Sequence, residues 1–447
     1  MTDISTFIFQ GWEMVSQKKT ILFHYTIRHK EEIFDFTDTL VLPSDVPSNI
    51  PHRFLETLLN NCLLMFGISY WKLFCPQNIE IANFSLTKEQ ADFWNTVYTK
   101  GLGQFFYENK IDYTNLVQFP FDEKKAAKSL VAFPRQDRSL LPVGGGKDSI
   151  VAAELLKKAG KDFTMLTIYT GLPKSTAQEL VVRQIGKESL IIKRTLDPQL
   201  FVLNKRKDTY NGHVPAVAMH SFLSVLLAAL YDYRYVIFAN EESANYGNIA
   251  YLGQVVNHQW SKSLEFEALF QEYLSTYITH DITYFSILRP FSEIKIAQLF
   301  SQHPHYFPMF VSCNRGYSMM TKGDTNWCGH CPKCAFVFAM LSAYVPKQEV
   351  LQIFGKNLFA DEKLVPLYKE LLGVEAFKPF ECVGTPEEVR MAFYLAWEKG
   401  DWKDDPMMQI FAKDVLPHMQ NNKEQEEQLL ALHTVLLPDG FGKVVEI

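Results

Sequence analysis

Between Leu140 and Gly160 the chain reads LLPVGGGKDSIVAAELLKKAG, an apolar block that passes through Gly144, Gly145 and Gly146 into Lys147, Asp148, Ser149 and a second apolar run. The first block is short and bounded by glycine, as a buried strand is; the second carries its apolar residues at helical spacing. A strand that turns through glycine straight into a helix is half of a crossover unit, and crossover units build parallel sheets. The alternation then repeats: DFTMLTIYT as strand, TAQELVVRQIG as helix, ESLIIKRTL as strand, the apolar helix VPAVAMHSFLSVLLAALYDY and the strand YRYVIFANEES. The expected fold class is therefore α/β, with the parallel sheet and its flanking helices in residues 135–345.

The loop also has a chemical reading. Without Cβ atoms, three glycines let backbone N–H groups approach an anion closely, and the helix beginning near Asp148 adds the positive end of its dipole. Lys147 supplies a cation, Ser149 a hydroxyl donor, and Asp148 a carboxylate able to hold Mg²⁺ between phosphates. The string fits neither G-x-x-x-x-G-K-[ST] nor G-x-G-x-x-G, so the Walker and dinucleotide readings are poor. It reads as a phosphate loop with Lys147 and Ser149 facing ligand; a glycine-rich turn capped by Asp148 or Ser149 is the plain structural alternative.

Upstream, FIFQGWEMVS, TILFHYTIR and EIFDFTDTLVLP alternate at period two, as half-buried antiparallel strands do. PHRFLETLLNNCLLMFGISYWKLF reads as a helix, NIEIANFSL as a strand, and Thr87 as the N-cap of a further helix. These make an α+β N-terminal domain over residues 1–125, followed by the charged linker DEKKAAKS. A helical C-terminal region over 346–447, including TPEEVRMAFYLAWEKG, completes three units, within reach of 447 residues. The net charge of −6 argues against a nucleic-acid coat and for small-molecule partners. The first residues lack the charged and apolar regions of a signal peptide, and no apolar run approaches the roughly 20 residues that span a bilayer. The expectation is a cytoplasmic protein without a membrane partner.

Seven cysteines cannot all pair, and three crowd into WCGHCPKC, where Cys328, Cys331 and Cys334 follow Cys313 of FVSCNRGY. Four thiolates so spaced suit tetrahedral Zn²⁺ in a closed structural site; an Fe–S cluster or plain buried cysteines are the alternatives. His330 reads as a bystander.

GGGKDS resembles the PP-loop of the N-type ATP pyrophosphatases, S-G-G-x-D-S, with Gly144 standing where that family has Ser. The resemblance implies an adenine-nucleotide-hydrolase-like sheet, residues 144–149 on the phosphates of ATP, and cleavage of ATP to AMP and pyrophosphate. A PP-loop followed by a cysteine cluster is similar also to the 7-cyano-7-deazaguanine synthases, whose zinc is structural. Longer matches go further. YNGHVPAVAMHSFLSV, ANEESANYGNIAYLGQVVNHQWSKSLEFE, ILRPFSEIKIA, WCGHCPKCAFVF and KPFECVG, with WKLFCP and GLGQFFYENK upstream, resemble the MurL family of UDP-N-acetylmuramoyl-L-alanyl-L-glutamate epimerases. That resemblance implies an isomerase of peptidoglycan biosynthesis that uses ATP and Mg²⁺ to convert the terminal L-Glu of the UDP-linked muramoyl dipeptide to D-Glu.

Such a reaction needs groups that move a proton. His213, His258 and Lys262 are the candidates, since imidazole titrates near neutral pH and a buried lysine can be tuned downward; each is equally readable as a structural polar residue. Glu241, with Glu242, falls at a strand end and could bind Mg²⁺, act as base or cap a helix. Arg289 and Arg315 are the candidates for the substrate's carboxylate or diphosphate, against ordinary ion pairing. Two other classes stay open: a PP-loop enzyme that forms an amide or nitrile or modifies tRNA, the last wanting a metal-free thiol among Cys62, Cys75 and Cys382, and a non-catalytic binding protein built on the zinc knuckle.

Overall fold

The period-two segments form β1 (Thr6–Val15), β2 (Thr20–His29) and β3 (Glu32–Val41), antiparallel in register from Thr6 opposite Arg28 to His29 opposite Glu32. The structure, a computed structural model, describes residues 5–15, 19–126, 129–170, 176–313 and 327–446. β4 (Asn78–Ile81) adds in parallel to β1. The alternating region supplies β5 (Ser139–Pro142), β6 (Phe163–Thr170), β7 (Ser189–Thr195), β8 (Tyr235–Phe238) and, beyond a small hairpin of β9 (Ile249–Tyr251) and β10 (Gln254–Val256), β11 (Thr283–Ser286). Strands β5 to β8 and β11 are mutually parallel.

Both groups belong to one nine-stranded sheet, ordered β11-β8-β5-β6-β7-β3-β2-β1-β4. The seam is β3 against β7, antiparallel, pairing Thr39 with Thr195 and Val41 with Lys193. Beneath it Arg194 lies 3% exposed on Asp38, which is 0% exposed, with Nε to Oδ2 3.0 Å and Nη2 to Oδ2 2.5 Å. The guanidinium also donates to the Phe66 carbonyl and Ser69 hydroxyl of α1 (His52–Trp71), both at 3.3 Å, so the buried charge has partners from two elements.

The parallel strands are covered on both faces, and their neighbouring residues point into different cores. Leu140, Leu166 and Val236 join one core with β1 to β3, α1, α2 (Lys88–Gly101) and α5 (Ala216–Tyr231); Leu141, Met165 and Ile237 join the other, with α4 (Lys147–Lys158), α6 (Glu293–Phe300), α7 (Pro332–Tyr344) and α8 (Pro386–Lys399). Thr87 caps α2 in a capping box with Gln90, and the short α3 (Gly103–Asn109) follows directly. From β5 the chain crosses through α4 to β6 on one side, and β8 is added later on the other. That reversal makes a topological switch point at the carboxyl ends of β5 and β8, where open α/β sheets bind ligands. No helix among the described residues is long and apolar enough to cross a membrane.

Candidate active site

The glycine loop lies at that switch point, between β5 and α4. Gly145 adopts φ +89°, a conformation that favours glycine, and Gly146 caps α4. A Cβ on Gly146 would lie 2.6 Å from Ser312 Oγ, because the 311–313 segment runs over the loop with Val311 N–H on the Gly145 carbonyl at 3.1 Å. A Cβ on Gly144 would meet nothing within 4 Å. Ser149 is 8% exposed and its hydroxyl donates to the Gly146 carbonyl at 3.0 Å.

Lys147 departs from expectation. Its side chain is 0% exposed, and its ammonium is ion-paired with both Asp148 and Glu293. The reason lies in a distant segment: α6, after β11, starts at Glu293 beneath the loop and supplies the countercharge that a buried ammonium needs. Burial works against the Lys147 charge, but the two carboxylates outweigh it and keep it protonated, and Asp148 is held in turn below the usual carboxylate range. Glu293 is pushed up to about 7 by burial, with Lys147 opposing and Asp148 and Glu241 adding to it. The Glu293 N–H donates to Glu388 Oε1 at 2.6 Å, and Glu388 also accepts from the Ser243 hydroxyl and the Thr385 N–H, both at 2.6 Å. One buried carboxylate of α8 thereby fixes the start of α6 to the loop after β8.

Glu241 follows β8 and is 1% exposed, yet neither of its carboxylate oxygens has a hydrogen-bond partner among the described residues. Oxygens of Asp148, Glu241 and Glu293 lie within 4.8 Å of one another. Three converging carboxylates, one of them otherwise unsatisfied, form a donor set for a hard divalent cation.

Beside them stands a second group. His258 Nδ1 is 2.5 Å from Gln104 Oε1 of α3, and its Nε2 is 3.7 Å from Cys382 Sγ. The His213 ring lies 4.6 Å from that of His258. Burial, with Lys262, Lys378 and Lys333 adding and Glu381 opposing, holds His258 down to about 4; burial, then His258 and Lys72, takes His213 to about 3. Both rings are neutral near pH 7. Burial disfavours the Lys262 charge, but Cys382, Glu241, Asp148 and Glu293 together outweigh it, so Lys262 stays a cation. Asn248 ties the two segments together: its Oδ1 accepts the His258 N–H at 2.8 Å and its Nδ2 donates to the carbonyls of Lys378 and Pro379 at 3.0 and 2.9 Å.

Of the residues expected from sequence, Asp148, Glu241, His258 and Lys262 meet in this chamber, with His213 against His258. Arg289 is 1% exposed and committed inward, to Glu267 at 2.8 Å and to the carbonyls of Glu241 and Lys262 at 2.6 Å each. Arg315 lies outside the described residues. Sequence reasoning missed Gln104, Glu293, Lys333, Lys378 and Glu388, and named Cys382 only as one of three thiols outside the metal cluster. ILRPFSEIKIA and KPFECVG stood out as motifs, but which of their side chains turn inward depends on packing between segments far apart in the chain.

Cys313, Cys328, Cys331 and Cys334 form the third group, with sulfur separations of 3.7 Å (Cys313 to Cys331), 3.6 Å (Cys328 to Cys334) and 3.5 Å (Cys331 to Cys334). Bonds of about 2.3 Å from a tetrahedral zinc give edges of about 3.8 Å. The four thiols therefore fit one metal ion and are compatible with structural zinc, at the N-terminus of α7 and beside the segment that covers Gly146.

Two family models match the chain, the MurL N-terminal domain over residues 1–287 and the MurL C-terminal domain over residues 309–427. Among similar proteins is one of Xanthomonas oryzae pv. oryzae, 38% identical over 371 residues, or 83% of this chain and 81% of that protein. A second, from a Micromonospora species, is 34% identical over 93% of this chain and 91% of its own length. A third, from Salinispora tropica, is 33% identical over 91% and 88%. All three bear the name UDP-N-acetyl-alpha-D-muramoyl-L-alanyl-L-glutamate epimerase. The chain belongs to the MurL family.

Proposed function

From that membership we propose that the protein inverts the terminal L-glutamate of UDP-N-acetylmuramoyl-L-alanyl-L-glutamate to D-glutamate in peptidoglycan-precursor synthesis, in the cytoplasm, with ATP as co-substrate and AMP and pyrophosphate as products. The observation that carries the chemistry is adjacency. A glycine loop and three carboxylates, Asp148 after β5, Glu241 after β8 and Glu293 after β11, stand beside two neutral imidazoles and a protonated lysine. One side suits phosphates, and the other suits proton transfer at a carbon a few ångströms away.

The two halves need each other. The Cα–H of a glutamate is very weakly acidic, because the neighbouring carboxylate is already negative and a carbanion would add a second charge. Adenylating that carboxylate removes the first charge, so a base of ordinary strength can take the proton to an enolate, and a proton delivered to the other face inverts the centre. Hydrolysis of the adenylate frees the product.

In this reading residues 144–149 form a PP-loop on the ATP phosphates. Asp148, Glu241 and Glu293 would hold Mg²⁺, which offsets the charge of phosphates when bound. Lys262 is the acid that returns a proton to Cα, and His213 and His258 serve the base side. Arg289 fixes the carbonyls of Glu241 and Lys262 and so positions both. Arg315 remains the candidate for the substrate's carboxylate or diphosphate. Cys313, Cys328, Cys331 and Cys334 hold a structural zinc. The division into 1–125, 135–345 and 346–447 assigns ATP to the middle part, with the outer parts lending Gln104, Cys382 and Glu388.

The test is incubation with the L,L dipeptide precursor, ATP and Mg²⁺ in D₂O. Deuterium at the glutamate Cα of the D product, dependent on ATP, supports the reading; pyrophosphate release with no exchange at that carbon overturns it.

A further inference from the structure

We propose that Cys382 is the group that takes the Cα proton, with His258 as its base and Gln104 as the positioning residue that sets the imidazole tautomer. The inference deepens the epimerase reading and rests on it.

The hydrogen bonds fix the direction of proton flow. Gln104 Nε2 donates to Glu108 Oε1 at 2.8 Å, which turns Gln104 Oε1 toward His258. That oxygen can only accept, so His258 Nδ1, 2.5 Å away, carries the ring proton. In a neutral ring Nε2 is then a bare lone pair, and the group facing it is the Cys382 thiol at 3.7 Å. A thiol, a base and an orienting amide in sequence is the arrangement that activates sulfur. Burial and the surrounding lysines keep the ring neutral near pH 7, so the Nε2 lone pair faces the thiol.

Cys382 is also the thiol in reach. Cys62 and Cys75 are 1% and 7% exposed, and burial pushes both thiols up; four others form the metal cluster; Cys382 is half-buried. Its segment is clamped on the His258 loop by Asn248 and by Gln259 Nε2 on the Val383 carbonyl at 3.0 Å. Lys262, the proposed acid, senses Cys382 and the carboxylates alike, so it borders the same space.

The step balances. His258 Nε2 takes the S–H proton, leaving thiolate and imidazolium. The thiolate takes the Cα proton of the adenylated glutamate, and the C–H electron pair passes into the enolate. Lys262 returns a proton to the opposite face, and the imidazolium proton restores the lysine through solvent. One proton leaves carbon and one arrives.

The full-length protein tests this through three readouts: pyrophosphate release, Cα exchange in D₂O, and alkylation by iodoacetamide mapped by mass spectrometry. Cys382→Ala and Cys382→Ser should lose exchange by about 10²–10⁴-fold while still releasing pyrophosphate. In the unmodified protein Cys382 should be alkylated before the other six cysteines, and substrate should protect it. Gln104→Glu places a carboxylate on Nδ1–H, which raises the imidazole pKa and should move the acidic limb of the exchange profile to higher pH. A purely structural Gln104 would leave that limb in place. Exchange at the wild-type rate in Cys382→Ala overturns the proposal but leaves the epimerase reading standing. So does a second zinc per chain bound at His258, Glu381 and Cys382, whose ligand atoms lie within 4.8 Å of one another. Pyrophosphate release without exchange in the wild type sinks the epimerase reading instead. Should the Cys382 variants fail to fold, alkylation decides: inactivation that maps to another cysteine overturns the proposal.

Discussion

Replacing Lys147 by Ala should damage stability before it damages chemistry. The side chain is wholly buried and its ammonium is the direct countercharge to Glu293, itself 1% exposed. Removing one member of such a pair strands the other and costs about 3–5 kcal/mol. An unfolding entropy of ~2.1 cal/mol/K per residue gives ~0.9 kcal/mol/K for 447 residues, so Tm should fall by about 3–5 °C. The loss should also depend on pH. Burial pushes Glu293 up to about 7 while Lys147 opposes the rise, so the carboxyl moves higher still in the variant. A carboxyl raised in the folded state favours folding while protonated, below its ordinary range near 4.5, and that advantage fades as pH climbs through the raised value. Because wild-type Glu293 already lies at about 7, the Tm deficit should be small near pH 5, open as pH climbs past about 7 and be large near pH 9. Lys147→Ala/Glu293→Gln removes the deeper of the two stranded carboxylates, leaving Asp148 without its cation, and should recover part of the deficit. Thermal unfolding followed by circular dichroism at both pH values is sufficient. A single variant that melts within about 1 °C of wild type at pH 9 would refute the argument that Lys147 is a buried countercharge.

Three further outcomes follow from the same geometry. Gly146→Ala should weaken ATP use, since its Cβ meets Ser312 Oγ at 2.6 Å, an overlap worth about 1–3 kcal/mol; adding Ser312→Gly should restore much of the KM for ATP, and failure of that rescue would count against steric conflict as the cause. Glu241→Gln should leave Tm unchanged or raise it, because a buried carboxylate without partners is itself a cost, yet raise the Mg²⁺ needed for half-maximal pyrophosphate release by about tenfold or more, the equivalent of ~1.4 kcal/mol; an unchanged Mg²⁺ requirement would remove Glu241 from the cation site. Purified protein should hold one zinc per chain by elemental analysis, and Cys331→Ser should release it and lower Tm, since metal-binding free energy is folding free energy; zinc retained in full by that variant would argue against a four-thiolate site.

Much of this architecture is legible in the chain. Period two in β1 to β3 and the strand-helix alternation from Leu140 are local patterns, and burial on one or both faces writes them directly into residue order. The glycine loop and the cysteine group are legible for the same reason: their chemistry is carried by close neighbours in sequence. The pairing of β3 with β7 is not, because it joins segments about 150 residues apart and leaves no local trace. The β9–β10 hairpin was equally hidden. It turns at Leu252 (φ +50°) and Gly253 (φ +79°), where Leu-Gly lacks the Asn-Gly or Asp-Gly signal of such turns. The chamber follows this rule residue by residue. Glu241 stood out at a strand end, whereas Gln104 and Cys382 matter only because two outlying segments converge on His258.

The seam between β3 and β7 has a consequence for any attempt to dissect the chain. Cutting away the first 125 residues would bare the edge of β7 around Lys193 to Thr195 and strip Arg194 of Asp38, Phe66 and Ser69 together. What remained would be a mostly parallel sheet with an open, hydrogen-bond-hungry rim and a marooned guanidinium on it. Such a rim is a template for a strand from a neighbouring copy. The leading strands thus double as a guard against polymerisation, and a shortened enzyme should precipitate rather than turn over slowly.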